Sequence, residues 1–254
     1  MSTARAKVML ITGASRGIGA ATARLAAQRG YDLAVNYASN KAAAEAVVAD
    51  IRKAGRKAVA IPADVGKPED IVRLFRSVDA ELGRLDAFFN NAGIVEKAAR
   101  FVDISPDRLQ RMLAVNTVGA FIAAQEAARR MSTRLGGNGG VIVNMSSMAA
   151  KLGGSNESTD YATAKGAIDT LTIGLAKELA PEGIRVNAVR PGLIDTDIQR
   201  DFGVGDRVGR NKGLVPLQRG GTAAEVAEAV IWLCSDLSSY CTGVILDIAG
   251  GRGL

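Results

Sequence analysis

Val8-Met9-Leu10-Ile11-Thr12-Gly13-Ala14-Ser15-Arg16-Gly17-Ile18-Gly19 runs from four apolar residues through three spaced glycines into an alanine-rich segment. The apolar run reads as a buried strand and residues 20–29 carry helical spacing, so the glycines occupy a strand-to-helix turn. Gly13 then allows the sharp turn, Gly17 lets backbone approach a ligand, and Gly19 permits close packing of helix on strand. The unpaired N–H groups of the helix start offer a site for a pyrophosphate, and Ser15, Arg16 and Ile18 lie in the same loop. A structural turn without ligand is the alternative reading of these twelve residues.

Outward from this loop the same alternation continues. Short β-rich runs at 8–11, 33–35, 58–61, 87–89, 140–145, 185–189 and 244–247 are bounded by Gly, Pro, Asn or Asp. Between them, 20–29, 41–54, 68–82, 106–135, 159–179 and 223–235 show helical spacing, with Ser105-Pro106 and Thr222 in starting positions and Gly30, Gly55 and Gly83 in stopping ones. Regular alternation predicts an α/β fold: a doubly wound, mostly parallel sheet of seven strands, a Rossmann fold, with ligands beyond the carboxyl ends of the strands. Seven strands and a glycine loop after the first of them speak against a (β/α)8 barrel. One domain over 1–254 is expected, without internal repeat or linker; 136–140 is the only glycine-dense tract and reads as a turn.

Composition removes several functions. Residues 1–6 carry one Arg with no apolar run after them, and no stretch approaches the ~18 apolar residues of a membrane span. A cytoplasmic protein with no membrane partner is expected. The chain has 32 Lys and Arg against 26 Asp and Glu, but the charges are mixed and 4% aromatic content offers few stacking platforms, so nucleic acid is not expected as a partner. There is no histidine, which removes the Ser-His-Asp triad and leaves Cys234 and Cys241 without the usual company of a metal site. No metal is expected, and proton transfer must fall to Tyr, Lys, Cys or carboxylates.

Tyr161-Ala162-Thr163-Ala164-Lys165 places a phenol and an ammonium one helical turn apart. A free phenol titrates near ~10, and a neighbouring cation favours phenolate, bringing it toward general acid/base range. Ser147 follows the run 141–145 and could hold a substrate oxygen while Tyr161 exchanges a proton with it. Ser146 is the alternative hydroxyl, and an ordinary exposed i, i+4 pair is the alternative to a catalytic Tyr161 and Lys165.

Ligand contacts are also expected after the second, third and fourth strands. An acid after the second strand would bind a free ribose 2′-hydroxyl and repel a 2′-phosphate. Residues 35–41 hold none; Asn36 and Tyr37 are the candidate contacts, and Arg16 tips the electrostatics toward NADP(H), with NAD(H) possible. Asp64-Val65 could meet the adenine, or simply form a turn. Asn90-Asn91-Ala92-Gly93 brings Asn91, Ala92 and Gly93 to the cofactor channel, although turn chemistry alone also selects Asn and Gly.

These pieces in this order, over residues 7–251, resemble the classical short-chain dehydrogenase/reductase family, with its T-G-x-x-x-G-x-G loop, N-N-A-G turn, serine and Y-x-x-x-K. The resemblance implies an NAD(P)-dependent enzyme interconverting a secondary alcohol and a ketone. It implies that Tyr161 is the proton donor or acceptor, that Lys165 lowers its pKa and binds the nicotinamide ribose, and that Ser147 holds the reacting oxygen. Asn116 resembles the fourth member, which interrupts helical hydrogen bonding and holds a water; Asn is otherwise unfavourable inside a helix. Pro191, Gly192, Ile194 and Thr196 resemble the segment that binds the nicotinamide carboxamide. The interval from Ser147 to Tyr161 is one longer than is frequent in the family, with the extra residue in 153–160, where Asn156, Glu157 and Asp160 could meet a polyol or sugar. A mobile substrate lid is expected around 195–215, where 197–213 lacks periodicity.

Sugar or polyol and 3-oxoacyl thioester substrates remain open, as do imine and epimerising reactions; Arg129, Arg130 and Arg134 could form a basic patch for an acyl carrier. A nucleotide sensor of the same fold without chemistry is the alternative function. Family resemblance implies a homotetramer, or a dimer, built on the long helix, whose Ala120, Ala123, Ala124, Ala127 and Ala128 could pack closely on a symmetry mate.

Overall fold

The computed structural model describes residues 5–254, apart from the side chain of residue 200. Residues 1–4, part of the segment read for a leader and of the domain expected over 1–254, lie outside the described residues. In chain order the elements are β1 (Val8–Ile11), α1 (Gly17–Gln28), β2 (Asp32–Tyr37), α2 (Lys41–Lys53), β3 (Ala58–Pro62), α3 (Pro68–Leu82), β4 (Ala87–Asn90), α4 (Pro106–Leu113), α5 (Ala120–Met131) and β5 (Gly140–Met145). There follow α6 (Ala149–Leu152), α7 (Thr159–Leu179), β6 (Ile184–Pro191), β7 (Ile194–Asp195), α8 (Ile198–Asp201), α9 (Arg207–Asn211), β8 (Gly221–Thr222), α10 (Ala223–Cys234) and β9 (Ile245–Ile248).

Seven strands form one parallel sheet in the order β3-β2-β1-β4-β5-β6-β9, and β7 with β8 makes a small separate ladder. Residues of period two along each strand feed opposite layers. Met9, Ile11, Leu33, Val35, Phe89 and Val143 pack on α1, α2 and α10, whereas Val8, Leu10, Ala34, Phe88, Ile142 and Val186 pack on α3, α5 and α7. Both faces are thereby covered, as a parallel sheet requires. The strand order reverses between β1 and β4, which opens a crevice at their carboxyl ends.

Helix boundaries follow local chemistry. Ser105 Oγ accepts from Arg108 N at 3.2 Å, Thr222 and Glu225 form a reciprocal capping box, and Gly30, Gly55 and Gly83 end helices at positive φ. The expected continuous helix over 106–135 is corrected. It is α4, a π-helical turn at Ala114–Gly119, α5 and a 3-10 turn at Thr133–Leu135. Asn116 explains the break: its Nδ2 donates to the Met112 carbonyl at 3.1 Å, taking the acceptor that an i−4 backbone bond would use.

The lid region is likewise more regular than its sequence. α8 and α9, at four and five residues, are too short for periodicity to register in the sequence. No helix among the described residues is long and apolar enough to cross a membrane.

Candidate active site

A cavity of about 640 Å³ occupies the crevice. Gly13, Ser15, Arg16, Gly17, Ile18, Gly19, Asn36, Asp64, Val65, Asn91, Ala92 and Gly93 line it, together with Ser147, Tyr161, Lys165, Pro191, Gly192, Ile194 and Thr196. Two expected residues, Tyr37 and Asn116, do not.

At the α1 end, the Arg16 side chain makes no capping hydrogen bond, so the first N–H groups of the helix remain open to an anion. A Cβ at Gly19 would stand 2.5 Å from the Gly13 carbonyl and 2.7 Å from Asn91 Nδ2, so only glycine closes this turn. Asn91 Nδ2 donates to the Thr12 and Gly13 carbonyls at 2.7 and 3.1 Å, while Thr12 Oγ1 accepts from Asn91 N and Ala92 N, both at 3.0 Å. The loops after β1 and β4 are thus clamped into one rigid cradle, which fits the pyrophosphate of a dinucleotide.

Two ribose candidates are corrected. β2 runs to Tyr37, two residues past its expected end, so Asn36 and Tyr37 are strand residues. Tyr37 is buried in the core layer under α2, and Asn36 is consumed by backbone, accepting from Gly13 N at 3.1 Å and donating to the Ile61 and Ala63 carbonyls at 3.2 and 3.1 Å. Asn36 keeps a place on the cavity wall beside Ala38, Ser39 and Asn40, whereas Tyr37 has none. Arg16 lines the same end and pairs at 3.1 Å with Asp201, both half-exposed. Asp64 reconciles its two readings, lining the cavity while its Oδ1 accepts from Gly66 N at 2.9 Å.

At the other end, Tyr161 and Lys165 project from α7 toward Ser147, which follows β5. Lys165 is buried, with Nζ 5.7 Å from the Tyr161 ring centre and donating to the Met145 carbonyl at 2.8 Å. A Cβ at Gly93 would lie 2.6 Å from Asn116 Oδ1 and 3.5 Å from Lys165 Nζ, so bare backbone separates the two. Asn116 is fully buried behind it, accepting from Ile94 N at 3.1 Å and donating to the Ile94 carbonyl at 3.0 Å. Ser146 is turned inward, donating to the Lys165 carbonyl at 3.3 Å, which leaves Ser147 as the hydroxyl facing Tyr161.

The electrostatic expectation for this pair is corrected. Burial raises the Tyr161 pKa above its ordinary value; the Ser147 hydroxyl and the Arg207 guanidinium oppose that rise, and Lys165 is not among the groups that do. Burial instead pushes the Lys165 ammonium down to about 8, against the pull of the Asp169 carboxylate. In the ligand-free site desolvation disfavours the charged form of both groups.

The substrate end contains residues without a motif. Of the loop polar residues, Glu157 lines the cavity, whereas Asp160 turns away into a buried pair with Arg108 at 2.7 Å and Asn156 sits in a turn at positive φ. Arg207 of α9 grips Glu157 at 2.6 and 2.8 Å and lies 4.3 Å from the Phe202 ring centre. Arg252, near the end of the chain, lines the same cavity. No residue spacing marks Arg207 or Arg252; only their charge in glycine-rich surroundings was available as a signal.

Arg129, Arg130 and Arg134 are corrected as a pocket-mouth patch. They sit beyond the cavity wall at the far end of α5, where they pair with Glu126, Asp79 and Glu182. Among the described residues no group of three or more Cys, Asp or Glu is placed to hold a metal. Cys234 and Cys241 are unpaired, and burial pushes the Cys234 thiol up to about 12.

Known proteins share both sequence and architecture with the chain. A family model described as enoyl-(acyl carrier protein) reductase matches residues 13–252. The uncharacterized oxidoreductase YgfF of Escherichia coli is 48% identical over 245 residues, covering 96% of this chain and 99% of that one. An L-rhamnose 1-dehydrogenase (NAD(P)(+)) of Sphingomonas is 37% identical, covering 99% and 98%. The structure of a short chain dehydrogenase from Burkholderia cenocepacia in complex with NADP superposes with a TM-score of 0.91 at 35% identity, covering 98% and 99%.

Proposed function

The chain belongs to the short-chain dehydrogenase/reductase family, and from that premise we propose that it interconverts a secondary alcohol and a ketone with NAD(P)(H), using Tyr161 as general acid/base. The observation that carries this reading is the meeting of Ser147, Tyr161 and Lys165 on one cavity wall, continuous with the glycine cradle. A sensor would need the cradle alone.

A nicotinamide dinucleotide, when bound, supplies or accepts the hydride. Gly13, Ser15, Gly17, Ile18 and Gly19 hold its pyrophosphate; Asp64 and Val65 border the adenosine end; Asn91, Ala92, Gly93, Pro191, Gly192, Ile194 and Thr196 border its nicotinamide half. Ser147 donates a hydrogen bond to the substrate oxygen, fixing it beside the phenol. Tyr161 then gives that oxygen its proton during reduction, or takes it during oxidation. The buried Lys165 ammonium, in its charged form, stabilises phenolate character as the proton leaves, a stabilisation directed at the transition state. Asn116 is a positioning residue: it pins the backbone of Ile94, and with it the Gly93 wall over Lys165.

NADP(H) is the preferred cofactor in this reading, with NAD(H) accepted. The support is the absence of a carboxylate at Ala38, Ser39 and Asn40 and the presence of Arg16 at the same end. Residues 195–215 act as a lid, with Arg207 and Glu157 as its clasp. The test is initial rates over sugars, hydroxyacyl thioesters and simple ketones, each with NADP(H) and NAD(H). Oxidation or reduction of some member is expected, faster with NADP(H); tight NADPH binding with no turnover across the panel would favour the sensor instead.

A further inference from the structure

Among the described residues, Arg252 is the one cavity-lining cation at the substrate end whose side chain has no hydrogen bond or ion pair of its own. The tail that carries it packs on the segment that follows Ser147: Leu217 N donates to the Gly250 carbonyl at 3.1 Å, and a Cβ at Gly253 would meet Met148 and Leu152. Both Met148 and Leu152 line the cavity with Arg252. Arg207, by contrast, is committed. Its guanidinium is bidentate to Glu157 and also donates to Gln199 Oε1 at 2.8 Å. Lys151, beside the tail, is held by Asp247 at 3.7 Å. Among the described residues nothing hydrogen-bonds or ion-pairs with the Arg252 guanidinium, although it is half-buried. Burial and the neighbouring Arg207 push its pKa down, with only the Glu157 carboxylate opposing them.

A partly desolvated guanidinium whose donors make no hydrogen bond is costly to maintain, and its planar donors match a carboxylate. Because Glu157 is already committed to Arg207, the Arg252 guanidinium adds positive charge to this end of the cavity, which suits a carboxylate. From this we infer that Arg252 is a specificity residue that binds the carboxylate of an oxo-acid or hydroxy-acid substrate while Ser147 and Tyr161 hold its carbonyl or hydroxyl oxygen. The inference rests on the proposed ketone/alcohol activity and names the substrate class for that site.

Matched pairs test it: 4-oxopentanoate, 5-oxohexanoate and 6-oxoheptanoate against their methyl esters, with NADPH, on wild type and Arg252→Gln. In wild type at least one acid is expected to exceed its ester about tenfold in kcat/KM. Arg252→Gln is expected to cut that acid by about 10- to 100-fold, mainly through KM, while the ester stays within about twofold; Arg252→Lys restores part of the loss. Esters turned over as well as acids in wild type, or an acid-to-ester ratio unmoved by Arg252→Gln, would overturn the inference. Binding of the same pairs is followed in parallel by ligand-observed NMR, with and without NADP+. Acid binding that Arg252→Gln abolishes would uphold the subsite even if nothing is turned over, an outcome that would count against the proposed activity alone. Equal binding of acid and ester, or none, would remove the subsite.

Discussion

At the residue scale, the Tyr161–Lys165 pair illustrates the difference between spacing and environment. Four residues of separation correctly place both groups on one cavity wall, but the sequence contains no information about how deeply they are desolvated. That depth sets the Lys165 pKa near 8 and, in the ligand-free protein, gives it a sign in stability. The folded state releases this proton near 8 and the unfolded chain only near its ordinary 10.5, so between those values the unfolded state binds more protons. The penalty is therefore complete below about 8, and this group's contribution to stability improves as pH rises toward 10.5. The buried Cys234 thiol, held at about 12, acts in the opposite sense above pH 9. Denaturant unfolding of wild type and Lys165→Met from pH 7 to 10.5 isolates the lysine: the wild type should gain relative to the variant, and parallel profiles would contradict the assignment. Asn36 carries a related lesson. Its type suits a ribose contact, yet β2 continues through it, so its amide goes to backbone carbonyls.

Elements were legible where they carry their own punctuation. Ser105, Thr222, Gly30, Gly55 and Gly83 mark ends through caps and positive φ, which depend on the residue itself. The π-helical turn at Ala114–Gly119 was signalled only by the family resemblance at Asn116, since helical spacing runs straight through it and the break depends on where one amide side chain points. Asn116, itself fully buried, satisfies the Ile94 N–H, the Ile94 carbonyl and the Met112 carbonyl. Asn116→Leu leaves these without that partner and is expected to cost about 3 kcal/mol, or a Tm lower by about 5–10 °C, together with a large loss of activity. Thermal unfolding that is unchanged would show that the turn stands without the amide. The short helices α8 and α9 also escaped the sequence reading, since polar contacts hold them, Arg16–Asp201 for α8 and Arg207–Glu157 for α9, and not a periodic apolar face.

At the scale of the whole molecule, β/α alternation with a glycine loop after β1 was enough for the doubly wound sheet and for the location of the crevice. Association surfaces were less accessible. Ala120, Ala123, Ala124 and Ala127 are buried within the chain and, as a docking stripe, are corrected. Among the described residues, the stretch 101–121 exposes Phe101, Val102, Leu109, Val118 and Phe121. We propose that this face joins copies of the chain into a dimer or tetramer. Light scattering at micromolar concentration should give a multimer that Phe121→Glu with Val118→Glu reduces in mass; a monomeric wild type would contradict it. The proposed activity rests on one phenol exchanging a proton inside the assembled site. Tyr161→Phe tests this most directly, with NADPH binding by fluorescence and ketone turnover measured on the same folded sample. The expected result is dinucleotide affinity within about twofold of wild type with kcat/KM down by about 10²–10⁴; full turnover by the variant would contradict the account.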